Sequence, residues 1–256
     1  MKEKTEIEKL REELAYNPKN GSVTLTADEL RRADEFCEEY KDFLNNGKTE
    51  REIVAESVKL AEIAGFKPFE KGKVYQPGEK VYRVNRGKSI LLAIIGTKPI
   101  SEGVRLAIAH IDSPRLDLKP NPLYESDELA FFKTHYYGGI KKYQWTTIPL
   151  AMHGVIFLKN GEKLEVRIGE EDDDPQFCIS DILPHLGVEQ SKKPLGTAIP
   201  AENLNILVGS RQIADEKGND LVKLNVLKLL HEKYGIVEAD FLSAEVEFVP
   251  NLKNYH

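Results

Sequence analysis

Ser89-Ile-Leu-Leu-Ala-Ile-Ile-Gly-Thr-Lys-Pro-Ile-Ser-Glu-Gly-Val-Arg-Leu-Ala-Ile-Ala-His-Ile-Asp-Ser-Pro114 is the stretch on which the fold turns. Ser89 to Ile95 and Val104 to His110 are strand-sized apolar runs, rich in branched residues and bounded by Gly and Pro, as buried strands of a covered sheet should be. Lys80 to Asn85 reads as a further strand just before them. Upstream, Thr26 with Glu29 and Thr49 with Glu52 match the capping box, in which a hydroxyl and a carboxylate exchange bonds with the free amides of a helix start. After the second box, Ile53, Val54, Val58, Leu60, Ala61 and Ile63 supply an apolar helical stripe, and Gly65 supplies a stop. Helices before and around apolar strands point to an α/β layer.

The chain has 256 residues, 41% hydrophobic and 30% charged, enough for one large domain or two small ones and too apolar for disorder. Its 36 Lys and Arg against 42 Asp and Glu leave a net charge of −6, which argues against a nucleic-acid partner. The two cysteines, Cys37 and Cys178, have no paired spacing. That excludes a disulfide framework and a cysteine-based zinc site, and fits a reducing cytoplasm. Residues 1–17 are dense in Lys and Glu, without the apolar stretch of a signal peptide. No run approaches the roughly 20 apolar residues of a membrane span. The expectation is a soluble, cytoplasmic chain with no membrane partner.

Past residue 117 the character changes. Pro114, Pro120, Pro122, Pro149 and the Gly138-Gly139 pair break any long helix. Met152 to Leu158 and Lys163 to Ile168 flank Asn160-Gly161, a strong hairpin signal. The acidic run Glu170 to Asp174 reads as a solvated loop. Asp220 to Tyr234 reads as a late helix closed by Gly235, and Phe241 to Val249 as another strand. The organisation expected is an α/β part over residues 1–117, a β-rich part over 118–250 with one helix near 220–234, and a tail over 251–256.

His110 and Asp112 carry the clearest chemistry. Two residues apart at a strand end, they leave the chain on the same face, and catalytic residues of α/β sheets gather where strands end. A neutral imidazole there can bind a metal through one nitrogen while a carboxylate holds its other N–H. The spacing alone equally admits a His–Asp pair that completes a strand terminus. Glu245 and Glu247 share a strand face, which alternation in a half-exposed strand explains.

The segment His110-Ile-Asp-Ser-Pro-Arg-Leu-Asp-Leu-Lys-Pro-Asn, then Tyr137-Gly-Gly-Ile with Trp145, Leu150-Ala-Met-His-Gly-Val, Leu183-Pro-His-Leu and Asp220-Leu-Val-Lys-Leu-Asn, resembles the zinc aminopeptidases of the aspartyl aminopeptidase family, family eighteen of the metallopeptidases. The resemblance runs in order along nearly the whole chain. It implies an α/β catalytic domain interrupted by a β-rich assembly domain, so that residues 1–117 would be the front part of the catalytic domain. It also implies hydrolysis of the first peptide bond by a two-metal-activated water, with zinc, or cobalt or manganese in its place, as cofactor. His110 matches the first zinc ligand and Asp112 the catalytic-site carboxylate that orients it. His185 matches a histidine assigned either to metal or, from a neighbouring subunit, to substrate. The substrate role is preferred, because a residue of the inserted domain most naturally reaches a site across an oligomer interface. His135, His153 and His231 match no ligand position.

The remaining ligands and the general base come, in the family, from a later segment: an Asp, an adjacent Glu–Glu pair, another Asp and a His. Nothing after Phe248-Val-Pro250 matches it, and one histidine does not hold a hydrolytic zinc, which takes about three protein ligands. The expectation is a homo-oligomeric aminopeptidase acting on peptides but incomplete within these residues. The alternative is an inactive relative that serves as an oligomerisation or partner-binding module. A β-rich binding module with no metal history is the third reading.

Overall fold

The computed structural model describes residues 4–214 and 217–252. The chain divides into two compact units, residues 1–43 and 44–256. The first carries α1 (Glu6–Leu14), α2 (Gly21–Thr24) and most of α3 (Ala27–Asn46). Before α3 the expected exchange is made: the Glu29 amide donates to Thr26 Oγ1 (3.3 Å) and the Thr26 amide to the Glu29 carboxylate (2.8 Å).

In the second unit, Thr49 and Glu52 cap α4 (Glu50–Ile63) in the same way, and Gly65 ends it with a positive φ of 85°. Ile53, Val54 and Ala61 turn the buried side of α4 toward a three-stranded sheet of β1 (Lys67–Pro68), β2 (Lys80–Asn85) and β3 (Ser89–Ile94). The second sheet has six strands: β4 (Arg115–Ser126), β5 (Leu129–Tyr137), β6 (Leu150–Phe157), β7 (Lys163–Ile168), β8 (Ile206–Gly209) and β9 (Ala244–Pro250). Short helices α5 (Val188–Ser191) and α6 (Leu195–Ala198) precede β8, and α7 (Leu221–Tyr234) follows it. The strand order is β7-β6-β9-β4-β5-β8, with all neighbours antiparallel. Asn160-Gly161 turns β6 into β7 with Gly161 at φ 85°. Pro120 and Pro122, which cannot donate ladder bonds, lie where the β4–β5 register shifts, between Leu118 and Leu123.

Register separates the two faces of this sheet. Ile168, Met152, Phe248, Leu116 and Tyr136 are partners across β7, β6, β9, β4 and β5. Paired residues share a face, and this row is the core, joined by Phe132, Leu204, Ile206 and Val222. The next row, one residue along, is Arg167, His153, Glu247, Asp117 and His135, on the opposite face. Every member is titratable, and the N-terminus of α4 docks over its middle.

Two expectations change. Residues 104–110 form no strand: Val104, Leu106 and Ile108 are 66%, 73% and 83% exposed. A strand exists only where a neighbour accepts its backbone bonds, and none lies beside this segment among the described residues. The acidic run is not wholly solvated, since the Glu170 side chain is only 10% exposed, against Lys48 and His153. Residues 253–256 of the expected tail, with His256, lie outside the described residues. No helix of the described residues is long and apolar enough to cross a membrane.

Candidate functional site

Asp112 lies just ahead of β4, and the bonds around it are short. His110 Nδ1 is 3.1 Å from the Asp112 backbone carbonyl and 3.4 Å from its carboxylate. The ring is therefore held through Nδ1 by residue 112, and Nε2 points away. The side chain is 86% exposed. On the far side of the carboxylate, the Tyr137 hydroxyl donates to Asp112 Oδ2 (2.5 Å). That bond, aided by His110, holds the Asp112 carboxyl below its usual range, and the Tyr137 phenol is correspondingly raised. Tyr137 is there because it pairs with Arg115 across the β4–β5 ladder, with the guanidinium 4.1 Å above its ring.

Arg115 begins a second, buried assembly. Its Nε meets Asp117 (2.7 Å) and Glu247 (3.3 Å), and its Nη1 meets Glu50 (3.3 Å). The Glu50 and Glu247 contacts lie within ion-pair distance but are misaligned: Glu50 Oε2, Glu247 Oε2 and Arg115 Nη1 are buried without a hydrogen bond. Glu245, the face-mate of Glu247, binds Arg51 (2.5 Å) and Lys88. Alongside, His153 is fully buried between two carboxylates, with Nδ1 on Glu52 (2.7 Å) and Nε2 on Glu170 (3.0 Å), and Lys48 also binds Glu170 (2.9 Å). Burial pushes Glu52 and Glu170 upward, yet both sit below the usual range: His153 outweighs it at Glu52, and Lys48 followed by His153 at Glu170.

Replacing Arg115 by Met is expected to cost about 3 kcal/mol, because it strands Glu50, Asp117 and Glu247 together at a buried face. Urea denaturation checks this against Lys119→Met, which removes a solvent-facing ion pair with Glu202 and is expected to cost under about 0.5 kcal/mol.

His110 and Asp112 are thus brought together as the spacing suggests. His185 lies in an exposed turn of the β-rich part, and no bond joins it to either among the described residues. Glu52 is signalled locally only as the capping partner of Thr49, and nothing local marks Glu50 or the contacts of Tyr137 with Asp112 and of Glu52 with His153, because those partners come from distant elements. A metal-binding fit can be tested on the donors. An imidazole held at Nδ1 with Nε2 free suits one ligand position. The three metal-capable side chains that cluster among the described residues are Glu50, Glu245 and Glu247, which do not include His110 and already face Arg51, Lys88 and Arg115. A groove of about 530 Å³ under α7, lined by Phe132, Met152, Phe177, Val226 and Leu230, is apolar and involves neither His110 nor Asp112.

Comparison with known proteins gives the family. Residues 43–255 match the profile of Aminopeptidase I zinc metalloprotease (M18). A probable M18 family aminopeptidase 1 of Clostridium acetobutylicum is 50% identical over 226 residues, covering 87% of this chain and 49% of that protein. The crystal structure of an M18 aminopeptidase from Thermotoga maritima superposes with a TM-score of 0.85 at 41% identity, over 93% of this chain and 51% of that one. At 18% identity, a likeness in fold alone, the mApe1 dodecamer of S. cerevisiae superposes with a TM-score of 0.60 over 87% of this chain and 49% of that one. The chain spans about half the length of the curated relatives it matches. It belongs to the M18 family of aminopeptidase I zinc metalloproteases.

Proposed function

We propose that this chain supplies the front part of a metal-dependent aminopeptidase that removes N-terminal residues from peptides. The observation that carries the reading is the His110–Asp112 pair: its Nδ1 is held, its Nε2 is free, and it stands at the head of β4. His110 serves as one metal ligand and Asp112 as the carboxylate that aims it. His185 serves the substrate from a neighbouring subunit or, as the alternative, the metal. A pair of divalent ions, zinc or else cobalt or manganese, supplies an activated water and a polarised scissile carbonyl when bound. The other ligands and the base come from polypeptide outside these residues. In this reading residues 1–117 are catalytic-domain sequence, 118–250 a β-rich domain through which copies assemble into a homo-oligomer, and 251–256 a tail. The free cysteines fit a cytoplasmic setting.

The exposed apolar run at 104–108 supports incompleteness, since a strand-like sequence outside any sheet, with bare Val104, Leu106 and Ile108, is a surface that further polypeptide would cover. It equally favours a second reading, an inactive relative that uses this surface to bind a partner. Reconstitution separates them. The purified chain is mixed with the remaining half of the Clostridium acetobutylicum relative, and release of N-terminal residues from peptides is followed with zinc and with a chelator. Zinc-dependent release by the mixture, absent from either piece alone, is expected. Binding of the two pieces without release supports the inactive relative.

A further inference from the structure

We propose that Glu247 holds a buried proton beside Glu50 and so forms a pH-sensitive latch between α4 and the six-stranded sheet, closed with the proton in place and loosened by its loss. Glu50 opens α4 and Glu247 lies mid-strand in β9. One oxygen each of Glu50, Glu245 and Glu247 falls within 4.8 Å of the others. Carboxylates so close repel unless a proton or cation lies among them. The cations present are Arg51 from α4, Lys88 from the β2–β3 turn and Arg115 from β4. The acids they face are Glu50, Asp117, Glu245 and Glu247, so four negative charges meet three positive ones and one proton completes the balance. The adjoining groups, Lys48, His153 and Arg167 with Glu52 and Glu170, bond among themselves. A divalent ion fits less well, because Lys88 already lies against both Glu50 and Glu245.

Protonation agrees with the environment: burial, then repulsion by Glu50, pushes the Glu247 carboxyl from 4.5 up to about 8, against the pull of Arg115. A group raised in the closed seam keeps its proton there and releases it when the seam opens. Opening is therefore promoted as pH rises between those two values, by up to about tenfold per unit, and levels off above the higher one.

Hydrogen exchange of the α4 amides, corrected for the intrinsic effect of pH, reads the opening directly. Between about pH 5 and about pH 8 the wild-type chain is expected to lose at least about tenfold in protection. Glu247→Gln, which carries no charge at either pH, is expected to give a flat profile, and Glu50→Gln, which removes the repulsion but leaves the burial, a shallower one. Infrared difference spectra of the wild-type chain over the same window are expected to lose a protonated-carboxyl band. A flat wild-type profile, a loss of protection that survives in folded Glu247→Gln, or no such band overturns the latch.

Discussion

In the reconstituted enzyme, His110→Ala is expected to lower peptide hydrolysis about 10³-fold, while folding and association are unchanged. The size follows from what a bound ion contributes, several kcal/mol of charge stabilisation at about 1.4 kcal/mol for each factor of ten. The ring is exposed and, among the described residues, bonds only residue 112, so its removal leaves the core of the fold untouched. Asp112→Asn is expected to be milder, about 10- to 100-fold, because it weakens the aim of a ligand without deleting one. Part of that aim survives in the backbone carbonyl of residue 112, the nearer of the two acceptors. Thermal midpoints of both variants should match the parent. A binding module without metal history predicts no change in any of these measurements, and the ranking of His110 above Asp112 separates ligand loss from loop damage.

Gly154→Ala is the substitution expected to damage the fold most, by about 4 kcal/mol or more. Gly154 sits inside β6, paired with Val166 on one side and Val246 on the other, at φ 145°. A Cβ there would stand 2.8 Å from Val246 Cα and nearer still to the Glu245 carbonyl oxygen. Both obstacles are backbone of β9, so neither can rotate aside. Gly161→Ala is the control: its φ of 85° is similarly foreign to side chains, but nothing lies within 4 Å of the added carbon. It should cost about 1 kcal/mol, the strain without the collision. Urea denaturation of the two variants therefore separates backbone strain from steric exclusion.

Local rules served well where the cause was local. The capping boxes at Thr26 and Thr49, the Asn160-Gly161 hairpin and the helix ending at Gly235 all form where their residues stand, since each needs only neighbours a few positions away. The run Val104 to His110 has strand composition just as clearly, yet composition cannot supply the adjacent strand. The stretch Leu150-Ala-Met-His-Gly-Val illustrates the other limit. The motif pointed to the family, but its physical content lay in long-range partners. His153 pins Glu52 and Glu170 across 101 and 17 residues, and Gly154 makes room for β9. Glu245 and Glu247 were rightly placed on one face. That face is covered by α4 rather than by water, which alternation within a single strand has no means of revealing.

The strand order gives the sheet a timetable. β9, residues 244–250, is the latest strand described, yet it lies between β6 and β4. Until it arrives, the β4–β5 and β6–β7 hairpins cannot be joined, and each keeps an open edge. During synthesis at about 5–20 residues per second, those edges stay bare for the several seconds needed to make the roughly 75 residues after β7. Closure then depends on contacts distant in sequence, which fold slowly. Refolding should accordingly show the hairpins protected before β9, with chain concentration deciding whether a strand from another molecule takes its place.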